Sequence, residues 1–234
     1  MARISRDVID CERCPRLRRH CVEIARTRRR AYRDQEYWGR GVPGFGDPRA
    51  RLWVLGLAPA AHGANRTGRM FTGDSSGDWL FGALHAFGFA VIPTSTSRDD
   101  GQVLSDAYIS AAVRCAPPDN KPSADEIGRC AGYLERELTA LGRLRVLLCL
   151  GRIGFTAGLR LLEDAGYALG RPRPRFGHAI EYEIRPGTGA ARRASLTLLA
   201  SYHPSRQNTQ TGRLTRRMWR AVFRRARHLL DGRQ

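Results

Sequence analysis

Residues 51–74 read RLWVLGLAPAAHGANRTGRMFTGD. Arg51–Leu55 is a short apolar run without polar alternation, the pattern of a strand buried on both faces of a parallel sheet. From Gly56 to Asp74 the chain turns glycine-rich and is dotted with polar side chains. A glycine loop leaving the carboxyl end of such a strand brings backbone close to a ligand. The loop has no Gly-Lys-Ser/Thr to cradle a nucleotide phosphate, and its first carboxylate is Asp74. Two questions follow: what the loop binds, and which group there would activate water.

The same strand-then-polar-loop pattern recurs along the chain. Ala107–Val113 is strand-like and delivers Arg114-Cys115-Ala116-Pro117-Pro118, and Leu196–Ala200 delivers Ser201-Tyr202-His203-Pro204-Ser205. Val146–Leu150 is a short strand that runs through Gly151 into a helix reaching about Asp164. Ser75-Ser76-Gly77 opens a helix with Trp79, Leu80, Ala83, Leu84 and Phe87 at helical spacing, ended by Gly88. Ser123 and Glu126 form a capping box for a helix through Leu141. Further helices are expected over Leu17–Tyr32 and Leu214–Leu230, with loops over 33–50 and, as a loop or sheet-edge excursion, over 170–190. This alternation predicts an α/β fold, three-layer α/β/α with a central, mostly parallel four-stranded sheet, as one domain over residues 1–234. Ligands then bind at the carboxyl ends of the strands, where the polar motifs 56–74, 114–122 and 201–213 converge.

Charge narrows the partner. There are 40 Lys+Arg against 22 Asp+Glu, a formal +18, and Lys121 is the sole lysine. A GC-rich genome accounts for arginine over lysine but not for the surplus of positive charge. The surplus favours a polyanion, nucleic acid ahead of a membrane surface or an acidic protein. No apolar stretch is long enough to span a bilayer, and no signal pattern opens the chain, so a cytoplasmic protein with no membrane partner is expected.

Six cysteines in a cytoplasmic chain point to metal or redox use rather than disulfides. Cys11 and Cys14 form C-x-x-C, and Cys115 and Cys130 are two single, distant thiols. A zinc site of two knuckles lacks its second close pair, so a [4Fe–4S] cluster fits better, with zinc and unrelated buried thiols as the alternatives. Cys14 precedes Pro15 and Cys115 lies in Cys-Ala-Pro-Pro, both stiff turns. Cys149, inside an apolar strand, reads as core; Cys21 lies near the pair but outside the pattern.

His203, held at a strand end by Pro204, has its ring free to face the crevice, unless nearby backbone simply satisfies it. On the first loop His62 and Asn65 add polar groups, and Phe71 offers a face on which a flat ligand can stack. GLAPAAHGANRTGRMFTGD together with HPSRQNTQTGRLT resembles the uracil-DNA glycosylase superfamily, and within it the family 5 enzymes of bacteria and archaea, which carry a [4Fe–4S] cluster. The motifs and cysteines that carry the resemblance span residues 11 to about 215. It implies Cys11, Cys14, Cys115 and Cys130 as cluster ligands. It also implies Gly56, Leu57, Ala58 and Ala60 as the loop approaching water and base, and His203 as the group that stabilises the leaving base. Ser205, Arg206 and Asn208–Arg213 become candidates for gripping phosphates or filling the gap left by a flipped base. The implied activity is hydrolysis of the N-glycosidic bond of uracil in DNA, the partner being DNA that contains uracil or other deaminated bases, and a monomer is expected.

Two departures from the pattern carry predictions. Related enzymes place an acidic or amide residue in the first motif to position water, where this chain reads Ala58-Pro59-Ala60. Asp74, Asn65, His62 or backbone must do that work. Family 4 relatives often have Asn in the strand before the third cysteine, where this chain has Ala111, so discrimination should loosen toward hypoxanthine and other damaged bases. The rival readings are a non-catalytic nucleic-acid-binding protein with a structural metal cluster and a hydrolase of free nucleosides. The arginine-rich C-terminal helix reads as an amphipathic helix with a solvated face: Arg216, Arg220 and Arg224 lie opposite Leu214, Met218, Ala221 and Phe223.

Overall fold

The computed structural model describes residues 1–188 and 194–232 of the 234-residue chain. Four parallel strands form its centre: β2 (Leu52–Gly56), β3 (Ala107–Ala111), β4 (Val146–Leu150) and β7 (Leu196–Ser201). They lie in the order β3-β2-β4-β7, with Val54 opposite Ile109 and Leu148, and Leu148 opposite Leu199. Every residue in these four strands is buried, as their continuous apolar runs demand.

Alternate side chains build two cores. Val54, Leu148 and Leu199 face α4 (Ser75–Ala86) and α8 (Arg216–Asp231), meeting Leu80, Leu84, Trp219 and Phe223. Trp53, Leu55, Leu147 and Leu198 face α5 (Ala124–Ala140) and α6 (Gly151–Asp164), meeting Leu138, Phe155 and Leu162. The expected three-layer α/β/α arrangement is therefore present. The expected capping box of α5 is present too, Ser123 accepting from Glu126 and Glu126 closing back on Ser123.

The sheet is wider than the four predicted strands. Three antiparallel strands extend it: β1 (Phe45–Gly46) beside β3, then β6 (Ile180–Pro186) and β5 (Tyr167–Ala168) beyond β7. Strand β6 falls in the segment 170–190, whose Arg, Pro and Gly content hides a period of two: Ile180, Tyr182 and Ile184 alternate with charged residues. Positions 189 and 190 of that segment lie outside the described residues.

Three further features differ from the expectation. A helix that the sequence reading did not identify, α1 (Ala2–Ile9), buries Ile4 and Val8 against Tyr133. Helix α2 (Pro15–Thr27) stops short of Tyr32 because Arg28 takes a left-handed φ of 50°. On α8 the buried face is Trp219, Val222, Phe223, Ala226 and Leu230, and Ala221 is exposed. Among the described residues no helix is long and apolar enough to cross a membrane.

Candidate active site

A cleft of about 760 Å³ opens at the carboxyl ends of the central strands. Leu57, Ala58, Ala60, His62, Phe71 and Asp74 line it from the loop after β2, and His203 and Ser205 from the loop after β7. The sequence-predicted motifs thus meet in one place, and Gly56 supports it from behind. A Cβ on Gly56 would stand 2.9 Å from the Phe71 ring, and one on Gly77 would stand 2.0 Å from the Phe71 carbonyl oxygen. These two glycines carve the seat in which Phe71 holds a left-handed φ of 53°. From that seat Phe71 stacks on His203, with ring centroids 5.8 Å apart and planes at 29°.

His203 follows the last residue of β7 by two positions. Asn208 Nδ2 donates to the His203 carbonyl at 2.8 Å, and Ser205 caps the short helix α7 (Arg206–Gln210) by accepting from the Asn208 amide at 3.3 Å. Asn208 therefore fixes the turn that carries the histidine and is not among the residues lining the cleft. Desolvation pushes the His203 pKa down to about 4, so its ring is neutral at pH 7 and presents an N–H donor without a positive charge.

Asp74 is the N-cap of α4. Its Oδ1 accepts from the amides of Ser76 at 2.9 Å and Gly77 at 3.0 Å, while Oδ2 accepts no hydrogen bond among the described residues. Oδ2 lies over Gly63, where a Cβ would approach it to 2.0 Å. Burial raises the Asp74 pKa, and it prevails over the two amide bonds and the charge of Arg66, which act in the opposite direction.

Arg66 is a site residue that sequence reasoning missed. Its Nη2 donates to the Gly73 carbonyl at 2.8 Å and its Nε to the His62 carbonyl at 2.8 Å, closing the two ends of the loop 62–73 that leads into Asp74. The His62 Nδ1 is hydrogen-bonded to the Tyr37 hydroxyl at 3.1 Å, and burial, then Arg29 and Arg66, lower its pKa. Asp119 and Asn120 also line the cleft, from the turn after β3, with left-handed φ of 54° and 56°. Their signal was present in the residue types, since Asp and Asn tolerate that conformation better than other side chains.

Besides Asn208, two predicted residues lie elsewhere. Asn65 is fully buried, and its Nδ2 donates to the carbonyls of Cys21 at 3.3 Å and Ala61 at 3.4 Å. Its amide ties the loop to α2 rather than facing the cleft, because one turn of helix over Ala64–Thr67 rotates it inward. Arg213 is exposed and stacks over Tyr202, 4.8 Å from the ring centroid, outside the cleft.

The cysteines gather on the other side of the same loop. Cys14, Cys115 and Cys130 are buried with Cys21, Leu17, Val113 and Ala116, and Ala58 of the cleft packs against them. Cys11 is half-buried beside Tyr133. The Cys14 thiol is pushed up to about 11 by burial and by the neighbouring Cys130, Cys115 and Cys11. Burial also raises Cys11, but hydrogen bonds from Tyr133 and Arg13 outweigh it and leave its pKa lowered. Fully buried Arg114 has Nε and Nη1 without a partner among the described residues, and its charge acts on Cys130. Soft thiols with unsatisfied cationic donors around them fit an iron–sulfur group. Among the described residues no three His, Cys, Asp or Glu side chains are placed to hold a single metal ion.

Comparison with known proteins converges on this arrangement. A family model described as the uracil DNA glycosylase superfamily matches residues 43–227. The Type-5 uracil-DNA glycosylase of Thermus thermophilus is 48% identical over 219 residues, covering 94% of this chain and 93% of that protein. That of Mycobacterium tuberculosis is 48% identical over 220 residues, covering 94% and 78%, and that of Pyrobaculum aerophilum 44% over 219, covering 94% and 88%. The matched span begins just before β1 and ends within α8, so it takes in every strand and both loops that meet at Phe71 and His203. On its sheet, its cleft and this likeness over most of its length, the chain belongs to the uracil-DNA glycosylase superfamily.

Proposed function

We propose that this protein is a monofunctional uracil-DNA glycosylase, hydrolysing the N-glycosidic bond of uracil in DNA and leaving an abasic site. The observation that carries this reading is His203 stacked on Phe71 in the same cleft as an Asp74 whose Oδ1 accepts two amide bonds and whose Oδ2 is left free. The glycosidic bond is unreachable within the base stack, so the nucleotide must be extruded into the cleft. There Phe71 supports the base, and backbone groups of Leu57, Ala58 and Ala60 approach its edge.

As the bond from C1′ to the base nitrogen breaks, its electron pair leaves with the base and negative charge grows on the pyrimidine O2. A neutral His203 N–H directed there strengthens its hydrogen bond as the charge develops, an effect worth about 10²–10³ in rate. A water on the opposite side of C1′ bonds to carbon and gives its proton to Asp74 Oδ2, a general-base contribution of about 10²–10⁴. The proton then passes to solvent or to the departing base, which restores both groups.

Substrate breadth is part of the proposal. Ala111, buried at the end of β3, has no amide to read a base edge, and the cleft volume of about 760 Å³ does not restrict the occupant to one ring. Hypoxanthine and other deaminated bases are therefore included as substrates. Cys11, Cys14, Cys115 and Cys130 would hold the [4Fe–4S] cluster, which supplies a covalent cross-link among α2, the turn after β3 and α5 and no redox step. The contact of Ala58 with the cysteine group supports that structural role, since it connects the thiols to the cleft wall. A cytoplasmic monomer completes the reading.

The test is incubation with duplexes carrying a single uracil or hypoxanthine, followed by alkaline cleavage of abasic sites. Strand scission at the modified base is expected. Release of no deaminated base from any duplex, or faster hydrolysis of free deoxyuridine, would defeat the reading. The purified protein is expected to be brown, with iron and labile sulfide in equal amounts; a colourless zinc protein would refute the cluster.

A further inference from the structure

A second groove of about 670 Å³ runs beside the active cleft, between α6 and residues 173–176, and Arg152 lines both. Its carboxylates are neutralised internally. Arg173 makes two hydrogen bonds of 2.8 Å to Glu163, and Arg160 lies 3.6 Å from Asp164. Arg152 and Arg175 are exposed and have no carboxylate partner among the described residues. The groove's uncompensated charge is therefore that of these two guanidinium groups.

The wall is also preorganised. The Tyr182 hydroxyl accepts from the Arg175 amide at 3.0 Å and donates to the Arg175 carbonyl at 2.9 Å, holding the main chain on both sides of that residue. The half-buried Phe176 ring packs on Phe155 at 5.7 Å and on Tyr202, the neighbour of His203, at 6.1 Å. The Arg152 guanidinium lies 5.5 Å from the Phe176 ring centroid. One basic, aromatic-floored track thus leads out of the cleft from the histidine.

We propose that this groove is a DNA-backbone subsite, in which Arg152 and Arg175 contact phosphates of the strand flanking the extruded nucleotide. The assignment rests on the glycosylase reading for its substrate, and on charge complementarity for its occupant. Phosphate contacts of this kind position a duplex without reading its sequence and are seen in the salt dependence of binding. Both guanidinium groups are exposed, so their contacts with phosphate are screened by added salt, which is what a salt titration reads.

The experiment compares wild type with Arg175→Ala, Arg175→Lys and, as a control at the amino end of the sheet, exposed Arg143→Ala. Binding to a uracil-containing duplex is measured by fluorescence anisotropy across salt concentrations, alongside the excision rate at saturating DNA. Arg175→Ala is expected to weaken binding about fivefold to tenfold and to lower the slope of log K against log salt by about 1. Its saturating rate should stay within about twofold of wild type, Arg175→Lys should keep the slope, and Arg143→Ala should match wild type. A scan of neutral methylphosphonates through the flanking strand should find a position that weakens wild type but not Arg175→Ala. Unchanged affinity and slope in Arg175→Ala, with every methylphosphonate sensitivity retained, would overturn the subsite. Binding that depends on Arg175 in a protein that releases no base would uphold the groove and sink the glycosylase reading instead.

Discussion

Two carboxylates, Asp74 lining the cleft and Asp100 outside its lining, have opposite environments. Asp100 meets buried Arg69, which also donates to Ser95, and accepts from the amides of Thr96, Ser97 and Gln102. Its partial burial is outweighed by those donors, and its pKa falls to about 2. Asp74 has two amides on one oxygen and none on the other, and its burial prevails, so its pKa rises. A carboxylate surrounded by donors is a fixed anion; one left partly unsatisfied in a dry wall can take a proton. Both belong to the same connected region, since Arg69 and Asp74 lie on one loop. What separates structure from chemistry here is the donor count around each oxygen.

Exchanging the two roles should be impossible, and the largest effect tests that. Asp74→Asn keeps a good N-cap and should lower the single-turnover excision rate by about 10²–10⁴ while leaving DNA affinity intact. A rate within about threefold of wild type would transfer water activation to backbone or to His62. His203→Ala should come next, with a loss of about 10²–10³ in rate and little change in binding. Its neutral donor also predicts that the histidine sets no acid limb between pH 7 and about 4. The acid limb of wild type belongs to Asp74 and is shifted upward from that of an ordinary aspartate by burial, activity falling as pH drops through it.

Asp100 should answer in stability rather than in rate. Asp100→Asn leaves buried Arg69 short of its counter-ion and should cost about 3–5 kcal/mol in urea denaturation at pH 7, with excision by the folded fraction within a few-fold of wild type. Because the folded pKa is below the unfolded one, the native state binds fewer protons between about 2 and the usual carboxylate value. Asp100 therefore contributes stability above that window, and the gap between wild type and variant should close as pH falls through about 2. The smallest effect is expected for Arg66→Lys, which keeps the charge but not the two-carbonyl grip. It should lower the rate by about tenfold or less, while Arg66→Ala should also move the acid limb upward, since the charge that lowers Asp74 is gone. An unmoved limb in Arg66→Ala would confine Arg66 to holding the loop.

Much of this architecture was legible in the residues. The four buried runs and the polar loops after them predicted the central sheet and the end at which the cleft opens, because strand burial and strand direction are local patterns. His203, Phe71 and Asp74 were found through the loops that carry them. Strand β6 was hidden by composition, and α1 was too short for its two buried residues to stand out. Asn65 and Arg66 are neighbours with opposite fates. A single helical turn points the amide toward α2 and leaves the guanidinium to close the loop, which no linear pattern reveals.

The sequence by itself determined the layers, the family motifs and the set of residues brought to one end of the sheet. Only the tertiary structure decided which of them can act. Whether an aspartate is a cap, a counter-ion or a base depends on the groups that other parts of the chain bring against it, a guanidinium donor from Arg69 for Asp100 and the bare backbone of Gly63 for Asp74. Apolar periodicity is written along the chain; desolvation and donor count arise only once separate elements meet.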